Sequence, residues 1–246
     1  MLSRACVPLI GKMPEEVNRV LTDHASDLLF APTITAEKNL LREGIPQERI
    51  RLVGDVMYDA AIQYGDAADR LSNILNRLNL KPEGYILATT HRAENVDNLK
   101  RLKAISKAFA YVNTKIPIVF PVHPRTRKSI EKFGLEDVAK RISMIDPGGY
   151  LDMLVLEKKA KLIVTDSGGV QKEAYFYKIS CVTLRNKKKW KELVELGWNT
   201  LVPPYDPEVI ISAPLASYGG GSAKYSSFGD GNAAEKIAER VTEFSL

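Results

Sequence analysis

From Tyr85 onward the chain alternates between short apolar runs and longer stretches with helical spacing. YILATT precedes LKRLKAISKAFAYV, and IPIVFPV precedes KSIEKFG. ISMID precedes YLDMLVLEKKA, and KLIVTD precedes VQKEAYFYK. ISCVTLR precedes a helical stretch near residues 190–196. Runs this short and this apolar, without polar alternation, read as strands buried on both faces. Five strands each followed by a helix predict an α/β fold: a Rossmann-like parallel sheet with helices on both faces.

The flanks follow another pattern. MPEEVNRVLTDHASDLLFAPT opens with Pro14 and two acids, as a helix N-terminus does. Its apolar positions Val17, Val20, Leu21 and Leu28 predict one helix that Pro32 stops. TAEKNLLREGI predicts a second helix closed by Gly44, RIRLVGD a strand, and residues 58 to about 80 one long helix. SAPLASYGGGSAKYSS reads as a mobile Gly/Ser-rich loop. An amphipathic helix closes the chain after FGDG. His24, mid-helix with no motif around it, reads as a partly buried structural histidine.

In a parallel sheet ligands bind beyond the carboxyl ends of the strands. The polar clusters THRAEN, HPRT, DPGG, DSGG and RNKKK all fall there. In DSGGVQKEA, Gly168 and Gly169 let a ligand approach the backbone, and the helix that follows points free N–H groups at an anion. Ser167 adds a hydroxyl. Glu173 lies too far into the helix to cap it and could accept two hydrogen bonds from a ribose diol. A tight turn with a solvent-facing glutamate fits the same residues. His91 and Arg92 could neutralise a departing diphosphate. His123 and Arg125 repeat the pattern in a turn stiffened by Pro124. Glu15 and Glu16, read alone, are first-turn acids that favour the helix dipole.

Composition narrows the partners. The 246 residues carry a net charge of +5 spread along the chain. Its densest basic run, RNKKKWK, reads as a loop edge rather than a nucleic-acid stripe. Cys6 and Cys181 form no disulfide framework or metal-ligand spacing, and Cys181 reads as a reduced core thiol. No stretch reaches membrane-spanning length, and the apolar N-terminal segment is too short for a signal peptide. The expectation is a cytoplasmic protein without a nucleic-acid, membrane or metal partner.

Taken together and in order, MPEEVNRVLTDHASDLLFAPT, VGDVMYDA, THRAEN, PVHPRT, GYLDML, IVTDSGGVQKEA, LVELGWNTLV and FGDG resemble the non-hydrolysing UDP-N-acetylglucosamine 2-epimerases. VGDVMYDA also resembles the branch acting on UDP-2,3-diacetamido-glucuronic acid. The family has a GT-B-like fold of two Rossmann-like halves, and this chain resembles its C-terminal half with a helical remnant of the other. The resemblance implies a sugar-side remnant over 1–60, a UDP-binding domain over 61–225 and a returning helix over 226–246. It implies inversion at C2 of a UDP-sugar by elimination and re-addition of UDP, with no cofactor, in a homodimer. It places His91 at the phosphates, Ser167 and Gly168 at the diphosphate, and Glu173 at the ribose, with Gly169 and Arg185 also in the UDP site. Glu15 matches a sugar-side acid/base carboxylate, and His91 joins it as a catalytic candidate. Arg92 and His123 match positions of an activating second UDP-sugar. The family's Gly-Thr-Arg-Pro-Glu loop and two further sugar-side carboxylates have no counterpart here, roughly a hundred residues in all. Lys188 and Lys189 stand where the family has Thr-Glu. An impaired epimerase is therefore expected, with a non-catalytic UDP-sugar-binding subunit as the alternative.

Overall fold

The computed structural model describes residues 14–186, 190–216 and 228–244. The chain divides into two units, residues 1–63 with 223–246, and residues 64–222.

In the first unit, α1 (Pro14–Ala25) leads to β1 (Leu29–Ala31), α2 (Ile34–Arg42), a single 3-10 turn (Gln47–Arg49) and β2 (Ile50–Leu52). The first helix ends seven residues before Pro32, earlier than its apolar spacing predicts. Leu29, Phe30 and Ala31 are all buried, which a surface helix with one apolar stripe cannot achieve. They pair in parallel with β2, Leu29 opposite Ile50. The Arg49 guanidinium draws the helix to its end by donating to the carbonyls of His24 (3.1 Å) and Ser26. His24 is exposed, not partly buried as expected, and its ring nitrogens lie against the Val20 and Glu43 carbonyls.

The inward face of α1 is ionic. Arg19, 7% exposed, donates to both carboxylate oxygens of Glu43 (2.7 and 2.9 Å) and to Asp23 (2.9 Å), which is fully buried. Val17 and Leu21 of the same helix stay exposed, as do Ile34 and Leu41 of α2. The Thr33 hydroxyl caps α2 by accepting from the Ala36 N–H (3.1 Å). Gly44 closes that helix at φ +87°.

VGDVMYDA and FGDG meet. The Asp55 N–H donates to the Phe228 carbonyl (2.9 Å). Gly54 and Gly229, both at positive φ, approach so closely that a Cβ on Gly229 would lie 2.8 Å from the Gly54 Cα. Asp59 then accepts from the Ala234 N–H (2.7 Å), capping the C-terminal helix (Ala233–Phe244).

The chain passes to the second unit within α3 (Val56–Leu71). The long helix expected to about residue 80 breaks after Leu71. The Ser72 hydroxyl donates to Asp152 (2.5 Å) and accepts from the Ile74 N–H (3.2 Å), starting a separate α4 (Ile74–Arg77). The order is then β3 (Ile86–Thr89), α5 (Ala93–Val96), α6 (Leu99–Asn113), β4 (Ile118–Pro121), α7 (Pro124–Lys132), α8 (Glu136–Ala139) and β5 (Ser143–Ile145). There follow α9 (Tyr150–Lys158), β6 (Leu162–Thr165), α10 (Gly168–Phe176), β7 (Cys181–Leu184), α11 (Lys191–Glu195), β8 (Asn199–Val202) and α12 (Pro207–Ala216).

All pairings in this sheet are parallel, in the order β5-β4-β3-β6-β7-β8. That is the doubly wound arrangement, with six strands rather than five. The sixth, β8, begins with Asn199 and leaves Thr200 exposed, so it lacks the continuous apolar run that marks the others. The segment read as a mobile loop contributes its first residues to α12, started by Asp206, whose carboxylate accepts from the Glu208 N–H (2.9 Å). The rest of that segment lies outside the described residues.

Successive strand residues feed opposite cores. Ile86, Phe120, Val164 and Val182 pack with Ile105, Phe109 and Val112 of α6 on one face. Leu87, Val119, Ile163 and Cys181 pack with Leu154, Leu156 and Ala174 on the other. The sheet is therefore covered on both faces, as the apolar runs predict. Burial pushes the Cys181 thiol up to about 12, so it stays a protonated core group. No helix among the described residues is long and apolar enough to cross a membrane.

The paired glycines yield a stability prediction. Gly229→Ala should lower unfolding free energy by about 2–4 kcal/mol, combining a left-handed backbone penalty with a backbone clash. Gly44→Ala, with nothing within 4 Å of the added methyl, should cost only about 1 kcal/mol. Urea denaturation of both variants checks the difference.

Candidate functional site

The strand order reverses between β3 and β6, so the crevice for a ligand opens beyond Thr89 and Thr165. Their hydroxyls meet at 2.6 Å across the two strands. The residue that follows β6, Asp166, is fully buried and turns its carboxylate under the loop that leaves β3. It accepts from the Thr90 hydroxyl (2.7 Å), the His91 N–H (3.1 Å), the Arg92 N–H (3.1 Å) and the Asn95 amide (3.0 Å). The Arg92 Nε donates to the Asp166 carbonyl (2.8 Å). One acid thus fixes THRAEN against DSGG.

Arg92 and His91 are thereby set at the rim. The His91 ring stands 3.7 Å from the Asp166 carboxylate and 5.6 Å, centre to centre, from the ring of His123. Burial pulls the His91 imidazole below its ordinary value; Asp166 opposes this, while His123 and Arg92 add to it. His123 is exposed and caps α7, its Nδ1 accepting from the Arg125 N–H (3.1 Å). Arg125 is engaged by Asp97 in an exposed fork.

Arg185 follows β7. Burial first, then the Arg92 cation, draws its guanidinium below the ordinary arginine range, against Glu94 and Asp166. Its Nη1 is buried and meets no hydrogen-bond partner among the described residues. Its Nε lies 3.7 Å from Glu94. The Asn95 amide bridges Asp166 to the Leu184 carbonyl (3.0 Å) and so ties this strand end to the cluster.

On the other side of Asp166, Ser167 is the N-cap of α10, and its side chain makes no capping bond. Its own N–H goes to the Thr165 hydroxyl (2.9 Å). The first turn of α10, Gly168, Gly169 and Val170, therefore presents N–H groups without a side-chain cap, the arrangement that binds anions. Glu173 lies further along α10 and is 9% exposed, a buried carboxylate rather than the solvent-facing one of a plain tight turn. Burial raises it above its ordinary value, opposed by Lys172. Beside it, Glu157 of α9 is 2% exposed and is raised further, by burial and by the Glu173 charge.

The structure therefore sets His91, Arg92, His123 and Arg185 with Ser167, Gly168 and Gly169 at the carboxyl ends of β3, β4, β6 and β7. Glu15 stands in the first turn of α1, in the other unit; its side chain lies outside the described residues. The sequence reading missed Asp166, Thr90, Asn95 and Glu157. An acid closing an apolar strand before Ser-Gly-Gly was visible, but its donors lie 71–76 residues away. Among the described residues no cluster of His, Cys, Asp or Glu is arranged to hold a metal.

Replacing Asp166 should undo this corner. Asp166→Ala leaves several buried donors without an acceptor and should cost about 3 kcal/mol or more, while Thr90→Val should cost about 1 kcal/mol. Denaturant unfolding measures both. Equal, small losses would contradict the organising role of the carboxylate.

Comparison with known proteins places this geometry. The family profile described as UDP-N-acetylglucosamine 2-epimerase matches residues 10–242. A UDP-N-acetylglucosamine 2-epimerase homolog of Methanococcus maripaludis is 49% identical over 233 residues, 93% of this chain and 64% of that protein. A UDP-2,3-diacetamido-2,3-dideoxy-D-glucuronate 2-epimerase of Pseudomonas aeruginosa is 41% identical over 94% of this chain and 64% of its own length. The chain thus spans a little under two thirds of these curated relatives. The crystal structure of Methanocaldococcus jannaschii UDP-GlcNAc 2-epimerase in complex with UDP-GlcNAc and UDP superimposes with a TM-score of 0.88 at 42% identity, over 97% of this chain and 67% of that one. By the extent of the profile match and the motifs it spans, the chain belongs to the UDP-N-acetylglucosamine 2-epimerase family.

Proposed function

We propose that the strand-end crevice of the 64–222 unit binds the UDP part of a UDP-sugar, and that the protein serves the interconversion of UDP-N-acetylglucosamine and UDP-N-acetylmannosamine. The observation that carries this reading is the uncapped first turn of α10 joined through Asp166 to His91, Arg92 and, by way of Asn95, the strand end bearing Arg185. Three backbone N–H groups and several cations around one turn suit a diphosphate. Glu173, further along the same helix, suits the ribose hydroxyls. Arg92 and His123 adjoin His91 and suit a second UDP-sugar that acts as activator.

The chemistry that follows is an elimination. A base removes the C2 proton as UDP departs from C1. UDP adds back to the glycal-type intermediate after a proton arrives on the opposite face. His91 serves the leaving diphosphate: held neutral by burial and the neighbouring Arg92, it gains a proton when an anion arrives beside it. Glu15 is the acid/base candidate on the sugar side. The Pseudomonas relative favours a second reading, in which the sugar is the 2,3-diacetamido uronate. A cytoplasmic location and a homodimer belong to either reading.

Calorimetry with UDP tests the site. The chain should bind UDP, and no heat at millimolar ligand from a folded sample would refute the reading. The affinity should rise as pH falls. A bound phosphate raises the His91 pKa from its depressed free value, so the gain is complete below that free value and is lost as pH climbs through the bound one. Between about pH 8 and pH 6, UDP should tighten several-fold in the unsubstituted chain and less in His91→Gln, with Asp166, His123 and Arg92 unchanged around it.

Epimerisation itself is expected to fail in this 246-residue chain used alone. Proton removal and return on opposite faces need acid/base groups on both sides of the ring, and Glu15 is the one such carboxylate assigned here. Exchange of the C2 hydrogen in deuterated water, followed by NMR, reads this directly. Incorporation that vanishes in Glu15→Gln would overturn the expectation.

A further inference from the structure

The basic run RNKKKW ends in Trp190, which the site described so far does not use. Its indole is buried, 7% exposed, and its Nε1 donates to the Gly168 carbonyl (2.8 Å). Gly168 is the first residue of α10. In a helix that carbonyl already faces the N–H four residues on, so the indole fills its second lone pair. The peptide between residues 168 and 169 is planar, with its N–H opposite its C=O. Fixing the carbonyl toward Trp190 therefore fixes the Gly169 N–H toward the open end of the helix.

A second contact sets the plane of the ring. The Lys172 ammonium lies 5.0 Å from the indole centre. Lys172 is 7% exposed, and helix side chains lean toward the N-terminus, which brings this one back over the first turn. Gln171 is fixed in the same way: its amide oxygen accepts from Asn199 (3.2 Å), whose own oxygen accepts from the Thr183 hydroxyl (2.6 Å). The turn meant for an anion, built on two glycines that give it no rigidity of their own, is thus held from outside by β8 and Trp190.

We propose that Trp190 is a positioning residue for the diphosphate: it orients the glycine turn of α10 through the Gly168 carbonyl, and its indole senses occupancy of that turn. The inference rests on the reading of this turn as the diphosphate site. The test is calorimetry with pyrophosphate and UDP on the chain and on Trp190→Phe, which keeps an aromatic face for Lys172 and removes the N–H. Both ligands should weaken by the same factor, about fivefold, as expected for one neutral hydrogen bond. Glu173→Gln should instead weaken UDP more than pyrophosphate.

Unchanged pyrophosphate affinity in Trp190→Phe, or a loss confined to UDP, would overturn the proposal while leaving the site reading intact. Failure of the unsubstituted chain to bind either ligand would overturn both. Trp198→Phe leaves Trp190 as the sole indole of the two in the chain. Its emission should shift with pyrophosphate at the calorimetric midpoint. That measurement decides the matter even where Trp190→Phe does not fold, because an unresponsive indole refutes the coupling.

Discussion

The buried carboxylate of Asp166 is the interaction on which the rest of the second unit's working end depends. A carboxylate taken out of water is costly unless hydrogen bonds replace its hydration. Here one hydroxyl, two backbone N–H groups and one amide do so. Every one of those donors belongs to the segment after β3, three in the loop and Asn95 in α5. The requirement to solvate one buried charge therefore dictates the path of THRAEN, and with it the positions of His91 and Arg92. Because Asp166 immediately precedes Ser167, the same residue sets where α10 starts.

The electrostatics of this corner suit the anion proposed for it. Burial and then the Arg92 cation disfavour the charge on Arg185, and burial, against the pull of Asp166, draws His91 below its ordinary value. Each of these is a strain that an anion relieves. Two buried acids, Glu157 and Glu173, shift in the opposite sense: burial raises both, and the Glu173 charge raises Glu157 further. Cationic character at the first turn of α10 and acidic character deeper along it match the two ends of a nucleoside diphosphate, whose phosphates need donors and whose ribose needs an acceptor.

Much of the sheet was legible because strands buried on both faces have to be apolar throughout. The strands that were missed were those that break the rule. β8 exposes Thr200, and β1 is three residues long and adjoins a helix with compatible spacing. The break between α3 and α4 was invisible because it is made by a side chain of Asp152, 80 residues away from Ser72. The site divides in the same way. The glycines, His91 and Glu173 announce themselves by local pattern. Asp166 and Asn95 act through contacts that span the fold, and Trp190 acts through a hydrogen bond to a carbonyl that no spacing rule anticipates. α1 shows the limit from the other side: its apolar spacing was read correctly as helical, yet the face it buries among the described residues is the ionic one.

The separation in sequence between the partners of Asp166 also orders events during folding. β3 and β6 lie side by side, but β4 and β5 with their helices intervene in the chain. Closing so long a segment costs entropy that is recovered only after the strands pair, and parallel pairings of this kind form slowly. Until β6 arrives, the loop bearing His91 and Arg92 has no acceptor for its backbone N–H groups and no reason to adopt its final path. The corner organised by Asp166 is thus assembled at the end of folding rather than at its start. On the proposed reading, a chain emerging from the ribosome would acquire the capacity to hold a nucleotide only once the central pair of its sheet had closed, and a bound nucleotide would favour the completed sheet over every partly assembled form that precedes it.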